Sequence, residues 1–111
     1  MIAQERNETT MLQDSKIILY GHFFCPMVPP TLALLKRAQA DFVYIDVMRD
    51  EVAMQHLITL NNGYASVPTL VFPDGSKLTE PHGGELRAKL EMLGYEIPSP
   101  RWLEILRRWF G

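Results

Sequence analysis

With 111 residues, 47% of them apolar and 22% charged, the chain has the composition of one globular domain. A formal charge of -2 leaves no basic stripe for nucleic acid, and no apolar run is long enough to span a bilayer. The single cysteine excludes an internal disulfide, and the polar start at residues 1–8 lacks the pattern of a secretory signal, so a reducing cytoplasm is the expected compartment.

Residues 1–15 are mostly polar and read as a flexible arm, with Met11 and Leu12 as weak docking points. Ile17-Ile18-Leu19-Tyr20 is a continuous apolar run, the pattern of a central strand covered on both faces. Gly21 breaks it, and Cys25 follows ahead of a helical pattern. A thiol at a strand-to-helix turn sits where backbone N–H groups and a helix dipole favour the thiolate. The same residue type is equally at home as a small buried hydrophobe. Pro26, Pro29 and Pro30 cannot donate backbone hydrogen bonds, so either the first helical turn is distorted or the regular helix begins at Pro29 or Pro30. Thr31 to Ala40 are good helix formers, with Leu34, Leu35 and Ala38 at helical spacing.

Phe42-Val43-Tyr44-Ile45-Asp46-Val47 is β-branched and aromatic, a second strand, and the β-α-β unit so formed implies a parallel pair. Arg49-Asp50-Glu51 opens a helix with Ala53, Leu57 and Leu60 on one face, and Asn61-Asn62-Gly63 stops it. Val67 to Phe72 reads as a strand entered by a proline, Pro73-Asp74-Gly75 as a turn, and Ser76 to Thr79 as an antiparallel edge on which Lys77 is merely solvated. Leu86, Leu90 and Leu93 mark a further helix ending at Gly94. Beyond Pro98-Ser99-Pro100, residues 98–111 carry a short amphipathic helix with Trp102, Ile105, Leu106, Trp109 and Phe110 on one side. Docking onto the parent domain is the first expectation for that face and a weak homodimer contact the second. A membrane surface comes third, because Arg107 and Arg108 are few positive charges for the task.

The order β-α-β-α-β-β-α, with a cysteine after the first strand and Val67-Pro68 entering the third, resembles the α/β thioredoxin-like fold. More narrowly it resembles the glutaredoxin family. The stretch from Asn61 to Pro81, with its Ser66-Val67-Pro68-Thr69 strand entry and Pro73-Asp74-Gly75-Ser76 turn, is similar to the mycoredoxin-like branch, and the resemblance covers residues 16–94. It implies that Cys25 is the catalytic thiol, that Pro68 is cis and faces it, and that the backbone at Val67 pairs with an extended thiol substrate. It also implies a thiol-binding cleft drawn from His22, Phe24, Pro26 and Ser66, with Gly83 and Gly84 seating a carboxylate by their backbone N–H groups.

The active-site motif is Cys25-Pro26-Met27-Val28, so the resolving position holds a valine and an intramolecular dithiol cycle is impossible. The expected function is therefore a monothiol oxidoreductase. It would reduce oxidised or thiolated proteins with glutathione or mycothiol as co-substrate, without a bound cofactor or metal. The competing expectation is a protein-binding module in which the Pro68 groove and the last helix have outlived the chemistry. An iron-sulfur centre shared between chains ranks low, and His22, His56 and His82 lack ligand spacing.

Overall fold

A computed structural model describes residues 16–98 and 101–110, so the expected arm at 1–15 lies outside the described residues. Four strands, β1 (Ile17–Gly21), β2 (Phe42–Asp46), β3 (Thr69–Val71) and β4 (Lys77–Thr79), form one sheet in the order β2-β1-β3-β4. β1 runs parallel to β2 with Leu19 opposite Tyr44, and antiparallel to β3 with Leu19 opposite Leu70. β3 and β4 make the hairpin. The helices are α1 (Val28–Arg37), α2 (Glu51–Leu60), α3 (Gly83–Met92) and α4 (Arg101–Phe110). This is the thioredoxin-like arrangement with an added C-terminal helix.

Alternation along β1 divides the core, because successive side chains of a strand point to opposite faces. Ile17 and Leu19 pack with Leu34 and Leu35 of α1, Leu70 of β3, and Leu86 and Leu90 of α3. Tyr20 faces the other way, into a smaller cluster with Val47, Ala53, Leu57 and Val67, and Cys25 packs against its rim. Helices on both faces explain why β1 reads as unbroken apolar sequence.

Element ends differ from expectation for local reasons. α1 starts at Val28, before Pro29 and Pro30, because the first N–H groups of a helix have no partners to lose. It stops at Arg37 rather than Ala40. Gln39 takes a left-handed φ of 52°, and the Gln39 and Ala40 N–H groups return to the carbonyls of Lys36 and Leu35, both at 3.0 Å. β3 begins at Thr69, since Pro68 has no N–H for the ladder. Lys77 is not simply solvated: its Nζ donates to the Leu60 carbonyl and to Asn61 Oδ1, closing the end of α2. In α4, Ile105, Leu106, Trp109 and Phe110 are 55, 42, 79 and 85% exposed, so the docking first expected of this stretch is not made by these side chains.

Candidate active site around Cys25

The loop between β1 and α1 is wound by two short turns, in which the Cys25 N–H donates to the His22 carbonyl and the Val28 N–H to the Cys25 carbonyl, each at 3.2 Å. Gly21 makes this start possible. A Cβ there would stand 2.9 Å from Val28 Cγ2 and 3.2 Å from Tyr44 Cε2, so only a glycine lets the strand end this close to the helix. Val28 itself is buried, which puts a packed methyl group where a dithiol relative has its second sulfur.

Cys25 is half-buried, and its Sγ donates to the Val67 carbonyl at 3.7 Å. The Val67–Pro68 peptide is cis, as the resemblance implies. Strand entry and thiol, 42 residues apart in sequence, therefore meet at one point. Tyr44 borders the same region. Its phenol is raised above the ordinary tyrosine range, first by burial, then by the Asp46 carboxylate and last by charge on Cys25.

An apolar cleft of about 200 Å³ lies between the start of α1 and the start of α3, its lining beginning at Pro26, the residue after Cys25. Pro26, Met27 and Pro30 form one wall and Pro81, His82 and Gly83 the other, with Thr31, Leu34 and Leu86 beneath. The start of α1 is poor in donors: Pro26, Pro29 and Pro30 have none, and the Val28 N–H is spent on the Cys25 carbonyl. The Met27 N–H has no acceptor among the described residues. Across the cleft, His82 caps α3, its Nδ1 accepting the Glu85 N–H at 3.1 Å. Gly83 follows as the first helical residue, with its N–H unused by the helix.

The expected site residues thus fall into groups. Cys25 and Val67 meet at the sulfur, with Pro68 joined to Val67 by the cis peptide, and Pro26 and Gly83 share the cleft. Gly84 does not line it. Ser66 has its carbonyl occupied by the Thr69 hydroxyl at 2.7 Å. Phe24 is exposed, its ring 4.0 Å from that of Phe23. His22 holds the Cys25 N–H through its carbonyl, while its buried Nδ1 has no partner among the described residues. Met27, Pro30, Thr31, Leu34, Pro81 and Leu86 were not expected at the site. The paired prolines were the available signal, since rigid apolar rings at a helix start make a wall as readily as they disturb a turn. Among the described residues no group of His, Cys, Asp and Glu is placed to hold a metal ion, and no helix is long and apolar enough to cross a membrane.

Comparison with known proteins agrees with this geometry. A family model described as Glutaredoxin matches residues 17–76. Mycoredoxin 1 of Corynebacterium glutamicum is 34% identical over 79 residues, which cover 71% of this chain and 98% of that protein. A Mycobacterium tuberculosis protein named as a glutaredoxin is 39% identical over 46 residues, covering 41% of this chain and 55% of its own. Among solved structures, a mutant of the thioredoxin-like protein BC3987 superposes with a TM-score of 0.60 at 27% identity, over 73% of this chain and 97% of its own.

Proposed function

Because this chain belongs to the glutaredoxin family, whose activity is thiol redox chemistry, we propose that it reduces protein mixed disulfides by a single-thiol cycle centred on Cys25. The supporting observation is the hydrogen bond from Cys25 Sγ to the Val67 carbonyl, with buried Val28 in place of a second thiol and an apolar cleft whose lining begins at Pro26, the next residue. The substrate is a protein whose cysteine carries glutathione or mycothiol. In the first step the Cys25 thiolate attacks the small thiol's sulfur. A bond forms between Sγ and that sulfur, the disulfide to the protein breaks, and the protein leaves as a thiolate that takes up a proton. In the second step another molecule of the small thiol, as its thiolate, attacks the sulfur it shares with Sγ. The symmetric small-thiol disulfide departs, and Cys25 is restored.

The cleft gives this cycle its direction. With no second cysteine in the chain, release of the target depends on Cys25 receiving the small thiol rather than the protein, and a cleft of this size admits a small molecule and excludes a folded partner. In that role the Gly83 N–H reads a carboxylate or hydroxyl of the small thiol, while Met27 and Pro30 cover its apolar surface. The exposed pair Phe23 and Phe24 is left to the protein substrate.

The test is turnover of a peptide carrying glutathione and of the same peptide carrying mycothiol, each with its matching free thiol as reductant. The wild type turns over at least one of them, and Cys25→Ser turns over neither. Equal rates with Cys25→Ser and wild type would refute the assignment.

A further inference from the structure

The site around Cys25 does not use α4, whose apolar residues Ile105, Leu106, Trp109 and Phe110 are open to solvent. With helical residues about 100° apart, these four fall within an arc of about 140°, and Arg107 and Arg108 lie outside it. Such separation is not needed by a helix that stays in water, so the face has an occupant. We propose that α4 lies in the surface of an anionic lipid bilayer, its aromatic and aliphatic arc inserted at the headgroup boundary and its arginines among the lipid phosphates.

Two observations favour lipid. Trp and Phe with Ile and Leu on one arc, and arginines on the other, match the chemistry of an interfacial helix, and both tryptophans of the chain belong to this helix. Charge is divided in the same sense. Arg107 and Arg108 are few and Glu104 falls between them, so the apolar arc carries the binding, but apart from these two arginines the chain has 9 basic and 13 acidic residues, which turns it away from an anionic surface and the end of α4 towards it. A bilayer asks for no matching surface, because each inserted side chain is covered by acyl chains independently.

The full chain is mixed with vesicles of phosphatidylcholine alone or with one third phosphatidylglycerol, then sedimented, while tryptophan emission is recorded. The expected result is a blue shift and co-sedimentation with the anionic vesicles, falling roughly 5- to 30-fold in affinity on neutral vesicles or in Arg107→Glu/Arg108→Glu. Ile105→Asp/Leu106→Asp, which alters only exposed positions, leaves the chain in the supernatant. A wild-type chain that stays in the supernatant with anionic vesicles overturns the proposal. So does equal binding to both vesicle types, or self-association that shifts the tryptophan emission without lipid.

Discussion

The starts of α1 and α3 face each other across one cleft, and they are built in opposite ways. At α1 no side chain caps the helix, and three prolines flank or enter its first turn, so the wall beside Cys25 is apolar and offers the Met27 N–H. At α3 a histidine side chain caps the helix and two glycines follow, so the opposite wall offers backbone donors with little bulk. Under the proposed cycle the contrast separates two tasks: the α1 side carries the nucleophile, and the α3 side reads the polar part of what is attacked. A side-chain cap at α1 would find no donor to accept from, because Pro29 and Pro30 stand second and third in that helix, whereas the His82 cap takes the Glu85 N–H and leaves that of Gly83.

Removing the nucleophile has the largest expected effect. Cys25→Ser lowers thiol transfer by at least roughly 100-fold, read as peptide turnover, because a hydroxyl is not ionised near neutral pH. Crowding the α1 start comes next. Gly21→Ala drives a Cβ against Val28 Cγ2 and Tyr44, and destabilises the fold by about 1–3 kcal/mol in urea unfolding.

Gly83→Pro sharpens the α3 side with little structural cost. Gly83 is the first helical residue, its predecessor His82 is extended with φ -73° and ψ 165°, and an added Cβ meets nothing within 4 Å. Stability is held or raised by about 0.4–1 kcal/mol. One N–H is lost, so KM for the small thiol rises by roughly 5- to 30-fold, worth about 1–2 kcal/mol, while kcat holds. Gly83→Ala, which keeps the N–H, leaves KM within about 2-fold on the same reasoning.

The smallest effect concerns how α3 is tied to the hairpin. Lys89 Nζ meets Asp74 Oδ2 at 2.7 Å, and the bonds from Lys89 and then Ser76 hold the Asp74 carboxyl well below its ordinary range. A carboxyl lowered by folding stabilises above its unfolded pKa and loses that contribution as pH falls towards the folded value. Asp74→Asn therefore melts slightly lower than wild type at pH 7, and the difference narrows progressively as pH falls below about 4.

Much of this could be read from residue order. The apolar run of β1, the lone thiol after it and the proline-entered strand carry the resemblance that joined Cys25 to Val67 and Pro68, because sheet topology fixes which loops meet. The cleft was not legible. Its lining joins α1 to the α3 start through Leu34 and Leu86, and local pattern assigns each only to a buried helix face. The prolines were misread for a physical reason: a lost N–H costs a helix only after its first turn, and Pro29 and Pro30 lie inside it. Gly84 looked equivalent to Gly83 in sequence, yet one residue is about 100° of helical rotation, enough to leave the lining. For α4 the amphipathic arc was plain, but what it contacts depends on tertiary placement rather than on its own pattern.

In the proposed cycle Cys25 takes the small thiol and not the protein. Intact-mass spectrometry tests this after one equivalent of a peptide–glutathione or peptide–mycothiol mixed disulfide is mixed with the reduced chain in the absence of free thiol. A single adduct with the mass of the small thiol is expected, absent in Cys25→Ser, with free peptide released in equal amount. A peptide adduct on Cys25, or no adduct with either disulfide, would contradict it.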